Sequence, residues 1–314
     1  MEQTMKKKTM QLAAVFLAMT MCVPTVWGAR TDSADLKVRV GLASSSSHNA
    51  TGELACAHLQ NNTGFGTGYR FGYYDSDLNF VELARTGQSI DQVAVLKARN
   101  MYYGYDASAG KYTYSESNLG GAAVGCYHIQ IPGSYVSYSN AAADAQLYGG
   151  FVAWIDGAYQ VRVGSYATKE TAESALTGLP QGTVVGTSAY GMNVVETGTD
   201  HILFQFDMGK GGALGILPDV TGAGDVRTWF SGYKYRGGFT YQRVSGNDLT
   251  VVNVLPLEDY IRGVICYEMG SSWPLEALKA QAVAARTYAL HRGKTNNHPD
   301  ADLCTDYRCC QAWI

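Results

Sequence analysis

One carboxylate in this 314-residue chain stands in company that could turn it to chemistry. Within "GVICYEMGSSWP" (Gly263–Pro274), Glu268 is flanked by Cys266, Tyr267 and Met269. Upstream, Leu257, Ile261 and Val264 fall at spacings of four and three, which is one face of a helix. The next step of four lands on Glu268, so the sequence continues a buried face with a carboxyl. Burial and the negative end of the helix dipole both favour the neutral form. A carboxyl that keeps its proton near neutral pH suits general acid catalysis. The alternative use of Glu268 is a salt bridge to Arg286 on the following helix.

A second cluster lies close to the last residue. "HPDADLCTDYRCCQAW" places His298, Cys304, Cys309 and Cys310 within a short span. Four soft ligands so close together suit tetrahedral zinc, and four protein ligands would close the site, making it structural. A disulfide such as Cys304–Cys310 is the rival reading. Of the seven cysteines, Cys22 lies in an N-terminal apolar stretch, and Cys56 and Cys126 could pair with each other.

The elements that must hold these groups are marked by their own signals. "LTVVNVL" is an apolar run of strand length. "LPLEDYIRGVICYEM" follows as a helix, with Pro256 at its start and Glu258 and Asp259 complementing the positive end. "WPLEALKAQAVAARTYALHRG" is a second helix, with Pro274 and Glu276 at its start and His291 and Arg292 in its last turn before Gly293. Leu275, Leu278, Ala282, Ala285 and Ala289 run down one face, and Gln281 and Arg286 are long polar residues embedded among them. Upstream of both helices, "FSGYKYRGGFTYQRVSGND" reads as hairpin-like strands broken by glycines.

Nearer the N-terminus, "DLKVRVGLA", "GYRFGYYD", "LNFVELAR" and "GCYHIQI" read as short strands, so residues 35–140 form a β-rich region with no clear helix. A different rhythm begins near Gly149. Tyr159–Val163 is a strand and a helix starts near Thr168, capped by Thr168 or Ser165, with Lys169 and Glu173 as an i,i+4 ion pair. "YQVRVGSYATKETAESAL" resembles the core of a SPOR domain. That resemblance implies a small α/β module at 149–207 that binds peptidoglycan glycan strands stripped of their stem peptides.

The stretch "VNVLPLEDYIRGVICYEMGSSWPLEALKAQAVAARTYAL" closely resembles the core of the stage II sporulation protein D family, which includes the amidase enhancers. The resemblance implies an α+β protein whose mixed α/β catalytic domain occupies 228–314, with family domains continuing beyond this point, so that the chain reads as truncated. It implies a lytic transglycosylase with Glu268 as the catalytic acid/base. Arg286 and Gln311, in "AARTYA" and "CCQAW", are implied to hold the glycan, with Gln281 beside them. Some members hold zinc with two Cys and two His. His298, Cys304 and Cys310 match that pattern, and Cys309 stands where the second His would be. Cys266 departs from the proline common in the family. The amidase-enhancer branch implies a rival role, a non-catalytic peptidoglycan-binding activator of a cell-wall amidase.

Composition sets the limits within which these readings stand. Hydrophobic residues make up 46% and charged residues 16%, with 36 Gly and 22 Tyr, which favours strands and turns and an exported, carbohydrate-facing protein. Lys6–Lys8, the apolar run "MQLAAVFLAMTMCVPTV" and small residues near Gly28 and Ala29 read as a signal peptide at 1–29, the alternative being an uncleaved anchor. Thr20 and Met21 stand before Cys22 where a lipoprotein site wants small residues. Removing Met1–Ala29 takes away three lysines and one glutamate and moves the net charge from −3 to −5. No basic block remains, which argues against nucleic acid as a partner. The expected location is the cell wall or the extracellular space.

Overall fold

The computed structural model describes residues 36–45, 52–61, 68–219, 225–295 and 298–313. The expected signal segment, 1–29, lies outside them. The described residues fold as a strand-rich α+β protein with four α-helices.

A seven-stranded sheet carries the C-terminal helices. Its order is β20 (Leu303–Cys304), β1 (Lys37–Ala43), β19 (Thr250–Pro256), β18 (Gly238–Gln242), β15 (Ala213–Pro218), β3 (Tyr69–Tyr74) and β4 (Phe80–Arg85). β19 is the apolar run "TVVNVLP", and every residue but Pro256 is buried. β1 and β18 flank it within the sheet, and it contributes apolar side chains to the main core. β1 pairs antiparallel with β19, Lys37 opposite Pro256 and Val40 opposite Asn253, and β20 runs parallel to β1.

The second sheet has ten strands. Four of them, with two helices, make a contiguous βαββαβ unit: β9 (Tyr127–Tyr135), α1 (Tyr138–Tyr148), β10 (Phe151–Ile155), β11 (Ala158–Tyr166), α2 (Lys169–Leu176) and β12 (Thr183–Val185). The strand order β12-β9-β11-β10 with antiparallel neighbours is the ferredoxin-like arrangement. The sheet continues from β10 through β14 (Ile202–Asp207), β13 (Met192–Glu196), β5 (Gln92–Lys97), β2 (Cys56–Asn61), β16 (Thr228–Phe230) and β17 (Tyr233–Tyr235). A small third sheet, β7 (Lys111–Ser115), β6 (Met101–Asp106) and β8 (Ala123–Val124), covers a satellite core around Met101, Tyr114 and Phe151. The main core joins both large sheets to the C-terminal helices.

The structure corrects several expectations. Strands of 35–140 and 228–314 share both large sheets, since β1 lies between β19 and β20 and β2 pairs with β16. The βαββαβ unit begins at Tyr127, upstream of Gly149. Gly149 is the left-handed C-cap of α1, whose N-cap is Ser137. That helix escapes sequence reading because only Ala141 and Ala145 are buried, so it has almost no apolar face. α2 does carry the expected Thr168 cap, as part of a capping box, and Lys169 meets Glu173 at 3.0 Å. Where the chain leaves β17 for β18, Gly237 has φ 75°, and a Cβ there would lie 2.3 Å from the Val254 carbonyl oxygen. Only glycine fits that crossing.

Candidate functional site

The site is built on two helices, the first packed on β19 and the second on the first. α3 (Leu257–Glu268) starts directly at the end of that strand, and the Leu257 N–H donates to the Leu36 carbonyl at 2.7 Å. Leu257, Tyr260, Ile261 and Val264 are buried, as their spacing requires. Val264 is the last buried residue, so the final turn of α3 outruns its cover. Met269 is extended, its N–H returning to the Ile265 carbonyl at 2.9 Å, and Pro274 leads into α4 (Leu275–Arg292).

Glu268, the last residue of α3, is therefore exposed rather than buried. The desolvation expected from helical spacing is absent, because the spacing reports a face and not how far the neighbours extend along it. The expected salt bridge is absent too. Glu268 Oε2 accepts a hydrogen bond from Gln281 Nε2 at 2.6 Å. Arg286 instead clamps Glu258 with two bonds of 2.8 and 2.7 Å, both side chains about a third exposed. The guanidinium is held above its ordinary range by those bonds. Sequence reading placed Glu258 only as a helix-start charge. Its role as Arg286's partner depends on how α4 approaches α3, which local spacing does not carry.

Gln311 does not join Glu268 at the surface. It is buried, and its Oε1 accepts from the Tyr260 hydroxyl at 3.3 Å. Of the three residues expected to hold glycan, Gln281 alone touches the Glu268 carboxylate, Arg286 is engaged by Glu258, and Gln311 packs behind α3. The expected buried face of α4 is also shorter than its spacing suggests, since Leu275 is exposed and only Ala285 and Ala289 are buried.

The cysteine cluster assembles as its spacing implied. The ligand atoms of His298, Cys304, Cys309 and Cys310 all lie within 4.8 Å of one another. His298 Nε2 is 3.2 Å from Cys310 Sγ and 3.7 Å from Cys309 Sγ. Tetrahedral zinc, with Zn–S about 2.3 Å and Zn–N about 2.1 Å, sets its ligands about 3.5–3.8 Å apart. Three thiols and one imidazole thus fit zinc in both chemistry and spacing. The rival disulfide does not form, and Cys56 and Cys126 do not pair; all six described cysteines are free thiols. The hydrogen bond between the two thiols lowers Cys310 and raises Cys304. Cys304 sits on β20, and the N–H groups of Cys309 and Cys310 both donate to the Asp306 carbonyl. Tyr288 and Arg292, near the end of α4, both donate to the Cys309 carbonyl, at 3.1 and 3.3 Å. The cluster therefore ties the last turns of α4 to the edge of the seven-stranded sheet.

Comparison with known proteins points to the same segment. A family model described as SpoIID, stage II sporulation protein, matches residues 245–314. An uncharacterized protein of Brachyspira hyodysenteriae (strain ATCC 49526 / WA1) is 46% identical over 82 residues, which cover 25% of this chain and 22% of that protein. Stage II sporulation protein D of Bacillus subtilis (strain 168) is 44% identical over 50 residues, covering 16% of this chain and 15% of that protein. The match thus spans less than a quarter of either relative's length. No solved structure matches the chain.

Proposed function

We propose, from the match of residues 245–314 to the SpoIID family of stage II sporulation proteins, a family of sporulation and the cell wall, that this chain is an exported lytic transglycosylase acting on peptidoglycan. The observation that carries the reading is Glu268 at the open end of α3. Gln281 holds one carboxylate oxygen, and the other has no hydrogen bond among the described residues. Glu258 is ten residues earlier on the same helix, about 15 Å along its axis, and is engaged by Arg286. It is too far to serve as the second carboxylate of a hydrolase, where the pair lies within about 10 Å.

One carboxyl suffices for transglycosylation. Glu268 donates its proton to the glycosidic oxygen between N-acetylmuramic acid and N-acetylglucosamine, the C1–O bond breaks, and an oxocarbenium-like centre remains at C1. The resulting carboxylate takes the proton of the muramic acid C6 hydroxyl as that oxygen bonds to C1. The product is a 1,6-anhydro sugar, no water is consumed, and Glu268 ends protonated as it began. The βαββαβ unit supports a SPOR-like module holding glycan strands stripped of peptide. His298, Cys304, Cys309 and Cys310 would hold a structural zinc, which neutralises the thiolates and fixes the end of α4. The expected export rests on the N-terminal sequence; no helix among the described residues is long and apolar enough to cross a membrane.

A second reading is favoured by the exposure of Glu268, which stands at the surface rather than enclosed in a cleft. In it the chain binds denuded glycan and activates a cell-wall amidase without cutting. Mass spectrometry of denuded strands incubated with the protein separates the two. Anhydro-muramic ends from the wild type, and none from Glu268→Gln with glycan binding retained, support the transglycosylase. No anhydro ends from the wild type would leave the activator reading.

A further inference from the structure

Two adjoining clefts meet on the flank of α3 that carries Asp259, Arg262, Gly263 and Cys266. One is cationic. Arg227, Lys234, Arg236 and Arg262 line it, and the carboxylates that answer them are Asp225 and Asp259. Asp225 takes both Arg227 and Arg236, and Asp259 takes Arg262 at 2.8 Å with Arg236 at 4.0 Å. Lys234 sits over the Trp229 ring at 4.6 Å. Among the described residues, four cations lining the cleft face two paired carboxylates, a surplus of positive charge in a chain that is negative overall.

The other cleft is aromatic. Tyr233, Tyr267 and Tyr307 stand exposed at its rim, and its floor is the buried ring of Phe230. Tyr235 and Trp313 line both clefts and join them into one groove, their rings 5.3 Å apart. Trp313 is only 4% exposed, yet its indole N–H has no hydrogen-bond partner among the described residues.

We propose that this groove is a second glycan subsite that reads the free lactyl carboxylate of muramic acid, the tyrosines stacking on sugar rings and the Arg262–Lys234 side of the groove taking the carboxylate. The inference rests on the peptidoglycan reading above and adds to it a reason for choosing stripped strands. Removing a stem peptide by hydrolysis of its amide leaves one lactyl carboxylate per disaccharide. A strand still bearing its peptide buries that charge in an amide and adds bulk at the same point. The exposed tyrosines offer faces and hydroxyls to the sugar. The groove joins the β16–β17 hairpin, Arg227–Arg236, which lies outside the segment matched to the family, to α3 and the last residues, which lie within it.

The test is a binding titration of the full chain with two oligosaccharides of equal length, alternating N-acetylglucosamine–muramic acid strands with free lactyl groups and chitooligosaccharide without carboxylate. The wild type should prefer the muramic strand, and the preference should shrink as salt rises. Charge reversal by Arg262→Glu, at an exposed helix position, should lower muramic-strand affinity about tenfold and leave chitooligosaccharide affinity unchanged. Lys234→Glu on the hairpin should do the same, and Tyr233→Ala should weaken both ligands. Equal binding of both ligands, or a preference that survives both charge reversals while anhydro ends still form, overturns the carboxylate-reading groove and leaves the transglycosylase. No binding of either glycan, with no anhydro ends, overturns both.

Discussion

The two helices of the site are held in opposite ways. α3 buries Leu257, Tyr260, Ile261 and Val264 against the seven-stranded sheet, and its position follows from apolar contact. α4 is half as long again, yet it buries only Ala285 and Ala289 and leaves Leu275, Val283 and Leu290 exposed. What secures α4 is polar and lies toward its middle and end: Arg286 on Glu258, and Tyr288 and Arg292 on the Cys309 carbonyl. The catalytic candidate Glu268 belongs to the apolar-anchored helix, and its partner Gln281 to the other. The geometry of the pair thus depends on the cysteine cluster although that cluster touches neither residue.

The largest effect should come from breaking the cluster. Cys304→Ser removes one of four donors at a fully buried position and should cost on the order of 3–5 kcal/mol, as loss of a structural crosslink does. Hydrogen exchange should show protection lost over 285–292 while the strands β9 to β12 stay protected. Unchanged exchange in α4 would mean that the cluster does not anchor it. In zinc-loaded protein, chelation should lower the melting midpoint. A midpoint indifferent to chelator would reject zinc.

On the other helix, Ile261→Ala should cost about 3 kcal/mol through the cavity it opens in the core, read as a shifted midpoint in urea without a changed slope. Exchange should then rise across α3 and β19 together, since both share that core. The same loss confined to α4 would invert the contrast between the helices.

A comparable effect should appear in acid, in the ten-stranded sheet. His128 on β9 is fully buried; its Nδ1 lies 2.8 Å from the Gly164 carbonyl and its Nε2 3.1 Å from the Gln205 amide nitrogen. Burial drives it down to about 4, with Arg162 adding to the effect. An unfolded histidine titrates near 6.5, so between about 6.5 and 4 the unfolded chain takes up a proton that the folded chain refuses. Stability should therefore fall as pH drops through that window, by about 3 kcal/mol in all, and level off below it. His58, half-buried and driven by desolvation down to about 4, contributes in the same direction. If His128→Gln leaves the acid loss unchanged, the proton is being taken up elsewhere.

What the sequence made legible was local. The buried stripe of α3, the Thr168 cap and the Lys169–Glu173 pair each need only a few consecutive residues. So does the gathering of His298, Cys304, Cys309 and Cys310, because a short connection cannot carry its ligands far apart. Non-local pairing was not legible. Nothing in "KVRVGLA" says that β1 will insert between β19 and β20, and nothing in "AARTYA" says that Arg286 will choose Glu258 over Glu268. The exposure of Glu268 and the aromatic-cationic groove share this origin, since each is decided by which segments end beside α3. "RTWFSGYKYR" did carry a signal, four aromatic and three basic residues in ten, but the hairpin pattern alone drew attention.

The smallest effect is the sharpest test of how α4 is held. Leu275 opens that helix and is 64% exposed, whereas its place on the i, i+3, i+7 stripe with Leu278 and Ala282 marks it for burial. If α4 is fixed only from Arg286 onward, Leu275→Ser removes exposed apolar surface and should change stability by no more than about 0.5 kcal/mol. The same exchange at a buried position on α3 would cost several times as much. A loss above about 1.5 kcal/mol at Leu275 would mean that the first half of α4 is covered in solution. Gln281 lies in that half, so such a result would also change the surroundings in which Glu268 has to work.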